Sequence, residues 1–146
     1  MAKKAGKPQF FPVDADDLKP MHQWHRYRLA RTRQSLAKSG LGAMLCFDQH
    51  NIRYISSTVI GEWARDKLIR YCLLTGTGQP WVWDFGSAAR HHRLYCPWLE
   101  EDHVRAGNPG MRGAIGPSVG LFEAAAKEIK DILVQEGVAG MPPGLD

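Results

Sequence analysis

The sequence has few cysteines, no long apolar run and no signal-peptide core. Its cysteines are an odd number, and each lies among apolar neighbours: Cys46, Cys72 and Cys96. This pattern favours buried free thiols in a reducing compartment over a disulfide framework. No apolar run approaches the ~18 residues that a membrane span needs, and the lysine-rich start is not followed by an apolar core. We therefore predict a cytoplasmic protein without a membrane partner.

Recognisable motifs of phosphate binding and nucleophilic catalysis are also missing. The glycine-rich region 107–120 lacks the lysine and the spacing of a phosphate loop. No combination of serine, histidine and aspartate includes a nucleophile turn. We therefore expect no catalytic residue in this chain.

Histidines occur in two groups that resemble metal sites only superficially. His91-His92 stands with Cys96 and His103, but adjacent histidines on a helix point about 100° apart and no second cluster completes a site. His22 and His25 form the other group, and nothing organises the aspartates that precede them. We therefore predict that this chain itself binds no metal and no other cofactor.

The composition is that of one domain with its own core. The chain has 146 residues, of which 44% are hydrophobic, and this is enough to build one core. Its formal net charge of +4 comes from 19 Lys and Arg against 15 Asp and Glu. Four arginines belong to the first predicted helix: Arg26, Arg28, Arg31 and Arg33. We interpret them as the solvated side of that helix and predict no nucleic-acid partner.

Hydrophobic periodicity predicts two helices and three strands. The helices span residues 21–39, ending before Gly40, and 118–136, ending before Gly137. The strands span 43–47, 68–74 and 81–85. A glycine-bearing turn joins the second and third strands, which predicts an antiparallel pair. These elements indicate an α/β domain with a mixed sheet of about five or six strands flanked by helices, a typical sheet size.

The remaining segments are less regular. Residues 1–18 are predicted as a flexible arm, 87–99 are ambiguous between a helix and an irregular segment, and 107–113 are predicted as a loop. Trp81 and Trp83 lie two residues apart, so they share one face of a strand. We predict that both belong to the core rather than to a stacking platform for bases.

A series of positions links the first helix to the turn after the first strand: Arg28-Leu29, Arg33, Leu36, Gly40-Leu41, Ala43, Leu45, Asn51-Ile52 and Tyr54. They resemble the helix, Gly-Leu-Asp turn, strand and Asn-Ile-x-Tyr turn of the N-terminal domain of the creatinase/prolidase family, the aminopeptidase P-like pita-bread metallopeptidases. Gly42 stands where an aspartate is common in that family, and Ser57 where a glycine is common. The resemblance implies a creatinase N-terminal-like, ribonuclease H-like domain over residues 19–140.

The resemblance also implies a substrate contact. Twelve residues after Asn51 comes Trp63, and Arg65 follows it closely. The creatinase branch carries an aromatic and an arginine at these offsets, and both reach into the neighbouring subunit to hold the substrate carboxylate. A guanidinium offers a planar fork of donors to a carboxylate, and an aromatic face covers an alkyl or cationic group. The alternative is a surface loop whose Trp63 packs on the core.

A resemblance to a second branch of the family adds two candidate substrate contacts. The DMSP lyase built on this fold is similar to the chain around Tyr54, Trp63, Arg70 and Trp83-Asp84. Tyr54 and Arg70 are therefore additional candidates for substrate binding. Both branches imply a small substrate with a carboxylate and an onium or guanidino group.

The family places its chemistry in a second domain, where two aspartates, one histidine and two glutamates surround a pair of divalent metal ions. Nothing in these 146 residues resembles that domain. Residues 141–146 are therefore expected to begin a linker to it. The resemblance implies a homodimeric hydrolase or lyase acting on a creatine-like, DMSP-like or Xaa-Pro substrate, of which this chain is the N-terminal domain. The alternative is a complete binding or assembly module without a catalytic half.

Overall fold

A computed structural model describes residues 15–58, 69–108 and 116–146. These ranges contain four α-helices and five strands, together with short 3-10 turns at Glu101–His103 and Pro117–Val119. In chain order they are α1 (Ala15–Ser39), β1 (Ala43–Cys46), α2 (Gln49–Ser56), β2 (Tyr71–Thr75), β3 (Trp81–Asp84), α3 (Gly86–Tyr95), β4 (Val104–Ala106), α4 (Leu121–Gln135) and β5 (Pro143–Leu145).

The strands form one mixed sheet in the order β4-β3-β2-β1-β5. The central strands β1, β2 and β3 are antiparallel neighbours, with Cys46 opposite Cys72 and Cys72 opposite Val82. The outer strands β5 and β4 run parallel to β1 and β3. The predicted mixed sheet flanked by helices is confirmed, and so is the predicted antiparallel pair.

Both faces of the sheet are covered, as the unbroken apolar strands require. Alternate residues of β2 supply the two cores, because successive side chains of a strand point to opposite faces. Cys72 and Leu74 pack with Leu29, Ile52 and other residues of the first three helices. Leu73 packs on the other side with Trp83 of β3 and Ile132 of α4. The predicted core position of Trp81 and Trp83 is confirmed, since both are buried.

Most element bounds differ from the predicted ones by one to three residues, and two differences are larger. Helix α1 begins at Ala15 instead of after Pro20, so the proline lies inside the helix. A proline there removes one backbone hydrogen bond and crowds the carbonyl four residues earlier, so the helix continues through it at an energetic cost. The Asn51 segment, predicted as a turn, is helical. Asp48 caps α2 there, with its carboxylate accepting hydrogen bonds from the backbone N–H groups of His50 and Asn51. The ambiguous segment 87–99 contains most of α3, which ends before Pro97.

The segment expected to begin a linker contributes a strand. Residues Pro143–Leu145 pair with β1, and the backbone N–H of Gly42 donates to the carbonyl of Pro142. Proline is tolerated there because β5 is an edge strand, which leaves some N–H positions unpaired. A Cβ on Gly42 would lie 2.6 Å from the Cβ of Met141. This close approach excludes the aspartate that the family commonly carries at that position.

The described helices give no membrane span. No helix in residues 15–58, 69–108 or 116–146 is both long and apolar enough to cross a bilayer. The three cysteines are buried and form no disulfide, as predicted. Burial raises the pKa of the Cys46 thiol to about 12.

Candidate functional site

A buried polar network lies where the ends of β2 and β3 meet α3. Its central group is the carboxylate of Asp84, the last residue of β3. Arg70, just before β2, donates from Nη1 to Asp84 Oδ2 over 2.6 Å. His92 of α3 lies 2.9 Å from the same oxygen through its Nε2. Together with Thr58, these residues are called the Asp84 network below.

Strand register brings the two charges together. Because Tyr71 pairs with Trp83 in the antiparallel ladder, the next residues along the same register are Arg70 and Asp84. Thr58 reaches the other side of the guanidinium, where Arg70 Nη2 donates to the Thr58 hydroxyl over 2.8 Å and to its carbonyl over 3.1 Å. Arg70 therefore joins β3 to the residues that follow α2.

The tautomer of His92 follows from the acceptor it contacts. A carboxylate only accepts hydrogen bonds, so His92 Nε2 carries the hydrogen that it shares with Asp84. In the neutral ring, Nδ1 is then the acceptor, and it faces the Sγ of Cys96 at 3.9 Å. The thiol and the imidazole are both buried within the domain.

The network is almost completely removed from solvent. Arg70 is 1% exposed, Asp84 0% and His92 1%. Burial lowers the pKa of Arg70 from its usual value, and the adjacent Asp84 carboxylate opposes this effect. The other oxygen of Asp84 accepts from the backbone N–H of Phe85 over 2.8 Å. A buried charge pair of this kind is sustained by close geometry and by saturation of the remaining acceptors.

Arg70 therefore differs from its predicted role. We expected its guanidinium to be available to a substrate, but its terminal nitrogens are bonded to Asp84 and Thr58 inside the domain. In this structure Arg70 is an internal structural group, because a donor without access to solvent offers nothing to a ligand at the surface.

The predicted substrate contacts Trp63 and Arg65 lie outside the described residues. The chain leaves the described part after Thr58 and enters it again at Ile69. The two ends of this segment are fixed close together, because Arg70 donates twice to Thr58. The Asp84 network thus anchors both attachment points of the segment that carries the two candidates.

Tyr54 lies elsewhere, on the outer side of α2. Its ring is 37% exposed and stands 5.7 Å below the guanidinium carbon of Arg28. It borders a groove of about 350 Å³ between α1 and α2. The structure therefore separates Tyr54 from Arg70, one on the surface and the other in the core.

The histidine groups do not converge on a shared centre. His25 is buried with its Nε2 3.3 Å from the side-chain oxygen of Gln79, and burial lowers its pKa. His22 meets the ring of Trp98 edge-on at 5.3 Å. His103 stacks on Trp81 at 3.7 Å, away from the bond between His92 and Asp84.

A small acidic group surrounds His103. Within the described ranges, one set of three side chains, Glu100, Asp102 and His103, brings possible ligand atoms within 4.8 Å of one another. Both carboxylates are exposed. Such clusters are common at protein surfaces without an ion, so this group carries no metal assignment.

Sequence reasoning missed the role of Thr58 and the pairing of His92. A usable signal was present in the hairpin, since an arginine and an aspartate each adjoin an apolar strand at matching distances from the turn. The contribution of Thr58 has no comparable signal, because it depends on how α2 packs against β2.

Comparison with known proteins gives no assignment. No protein-family model matches the chain, and no curated protein matches it.

Proposed function

We propose that this chain is the dimer-forming, substrate-selecting N-terminal domain of a cytoplasmic, metal-dependent hydrolase or lyase of the creatinase/prolidase family. Its parent acts on a small carboxylate-bearing molecule that is creatine-like, DMSP-like or an Xaa-Pro dipeptide. Arg65 holds the substrate carboxylate in the neighbouring subunit, and Trp63 covers its alkyl or cationic part. The divalent metal and the catalytic groups belong to the second domain.

One observation carries this proposal. The Asp84 network fixes Thr58 to Arg70, so the segment bearing Trp63 and Arg65 has two firmly held attachment points. Groups that position a substrate work best when the scaffold behind them is held by packing and hydrogen bonds. A buried ion pair at the base of this segment supplies such support.

The local backbone supports the same resemblance. Ser57 has a left-handed φ of 55°, a conformation that strongly favours glycine. The family commonly carries glycine at this position. A left-handed backbone at Ser57, with serine in place of the family's common glycine, is consistent with descent from that family.

A second candidate function is a binding or assembly module that acts without a catalytic half. It is favoured by the two cores, since the described residues bury apolar side chains on both faces of the sheet. The two candidates differ in whether a catalytic domain belongs to the native protein.

The deciding measurement is the intact mass of the native protein purified from its source, with metal analysis of the same sample. An enzyme of the proposed family has a mass well above 16.4 kDa, the mass of this chain. A native mass of 16.4 kDa without bound metal would contradict the enzyme proposal and leave the binding module.

A further inference from the structure

The outer surface formed by α1 and α2 carries unbalanced positive charge. Between Asp17 and Asp48 the sequence has six Lys and Arg and no Asp or Glu. Within the described ranges, the ion pairs of Arg and Lys with carboxylates are Arg70 with Asp84, Arg105 with Glu128, and Lys127 with Asp131. None of them includes a cation of α1 or α2. Like charges that have no carboxylate partner among the described residues repel one another, and an anionic partner would relieve that repulsion.

Exposed aromatic side chains lie among these cations. Trp24 is 59% exposed and Tyr27 55%, and their rings meet edge-on at 6.4 Å. The Tyr27 hydroxyl lies 3.5 Å from Arg31 Nη1, and Arg28 lies over the ring of Tyr54. We call these five residues the α1–α2 face. Trp, Tyr and Arg are the residues that most often dominate the binding energy of protein interfaces.

A groove runs beside this face and has an apolar floor. Its volume is about 350 Å³, and α1, the start of β1 and α2 all contribute to its walls. The floor consists of the apolar side chains of Leu36, Leu41, Met44 and Ile55. The rim carries Arg31 and the hydroxyl groups of Ser35 and Ser39. A groove between two helices, apolar inside and basic outside, suits an amphipathic helix with apolar anchors and acidic flanks.

We propose that the α1–α2 face and its groove bind an acidic amphipathic helix of a protein partner. A second copy of the same face is a poor occupant, because a two-fold contact would bring the like-charged arginines of the two copies close together. Nucleic acid fits less well, since the floor of the groove is aliphatic rather than a stacking platform. This inference does not depend on the proposed enzyme function, because the face is distinct from the Asp84 network.

The test uses labelled peptides and the 146-residue chain. One capped peptide of roughly 16 residues carries leucines along one helical face and glutamates elsewhere, because shorter helices are marginal in water. Its twin has lysine in place of every glutamate, and a 15-mer of deoxythymidine serves as the nucleic-acid probe. Fluorescence anisotropy gives each Kd for the natural chain, for Arg31→Glu and for Arg90→Glu, a matched charge reversal at an exposed site on α3.

We expect the acidic peptide to bind about tenfold more tightly than its lysine twin, because charge complementarity selects partners. Arg31→Glu should raise the Kd of the acidic peptide about tenfold, and Arg90→Glu less than about twofold. Circular dichroism checks that both variants fold.

Four results would overturn the proposal. The first is that neither peptide binds, and the second is that the acidic peptide and its lysine twin have equal Kd values. The third is that Arg31→Glu and Arg90→Glu weaken binding of the acidic peptide equally. The fourth is that the oligonucleotide binds more tightly than the acidic peptide and that Arg31→Glu abolishes this oligonucleotide binding. The last result would assign the face to nucleic acid.

Discussion

Asp84 accepts three hydrogen bonds inside the domain, and each donor comes from a different element or loop. Arg70 precedes β2, His92 lies in α3, and the Phe85 backbone N–H begins the connection between β3 and α3. A single carboxylate therefore satisfies groups that would otherwise be buried without partners. Removing one member of such a set leaves the others with the full cost of desolvation.

Replacing Asp84 with alanine should lower the free energy of unfolding by about 3–5 kcal/mol, because the Arg70 charge stays buried without its partner. Asp131→Ala is the matched control, since its carboxylate pairs with Lys127 on the surface, and it should change stability by less than about 0.5 kcal/mol. Urea unfolding measures both variants.

If Asp84→Ala does not fold, Arg70→Met combined with Asp84→Leu supplies the comparison. Replacing both charges by apolar groups should be milder than leaving one charge unpaired. Equal stability losses for Asp84→Ala and Asp131→Ala would contradict this account of the Asp84 network.

We expect the buried His25 to make the stability of the domain depend on pH. Burial lowers its pKa in the folded protein below the ordinary 6.5, so the unfolded chain takes up a proton first as the pH falls. Its contribution is present above the unfolded pKa and is lost as the pH decreases toward the folded pKa. Between about pH 7.5 and 5.5, the free energy of unfolding should therefore fall less steeply in His25→Phe than in the natural chain.

The exposed His50 provides the control for this experiment. Urea unfolding of His50→Gln should follow the natural pH dependence. An unchanged slope in His25→Phe would show that the buried imidazole does not titrate in this range.

Helix α2 illustrates what determines an element of only eight residues. Asp48 caps its first turn, and its last turn is closed by the Ser57 N–H donating to the carbonyl of Arg53. Ser57 adopts the left-handed conformation typical of glycine at helix ends, and its hydroxyl is buried without a partner. The helix therefore ends at a residue whose backbone conformation favours glycine over serine.

Ser57→Gly should stabilise the domain by about 1 kcal/mol, because glycine removes the left-handed strain and the unpartnered hydroxyl. Ser56→Gly, one residue earlier, should destabilise it, since the Ser56 hydroxyl donates to the Ile52 carbonyl and contacts the Thr58 hydroxyl. Thermal unfolding of the two variants should show Tm shifts of opposite sign. A lower Tm for Ser57→Gly would contradict the strain argument.

Elements with strong local signals were predictable, and those defined by distant partners were not. The apolar runs of β1, β2 and β3 and the periodicity of α4 indicated their elements directly. Strand β5 begins at the second of two consecutive prolines and has no strand signal, and it forms because β1 offers it an open edge. Helix α2 was missed because Asn51 and its polar neighbours are typical of turns until Asp48 is recognised as a cap.

The same division applies across the whole molecule. The mixed sheet flanked by helices followed from the order of elements, whereas the Asp84 network required three-dimensional packing to bring Thr58 and His92 to one arginine. Tyr54 and Arg70 stood together as candidates in the sequence, but the structure puts one on the surface and one in the core. Sequence patterns predict which residues are buried more readily than they predict which buried residues contact one another.

The proposed substrate role of Arg65 is tested in the proposed parent enzyme. Arg65→Ala should raise KM for a carboxylate substrate at least about tenfold, because a lost charged hydrogen bond in binding costs about 1.5–3 kcal/mol. Arg90→Ala, which removes an exposed arginine from α3, should leave KM unchanged. The two variants should have the same Tm. Equal KM values for Arg65→Ala and the natural enzyme would exclude this role.

The bond between Arg70 and Thr58 also has an evolutionary consequence. It joins residues 12 positions apart, so the end of α2 is tied to the start of β2 by bonds that do not run along the chain. In general, doubling the length of a flexible loop between two fixed ends costs only about 0.6 kcal/mol of closure entropy. Natural relatives of this domain should therefore keep Thr58 and Arg70 more strictly than the number of residues between them.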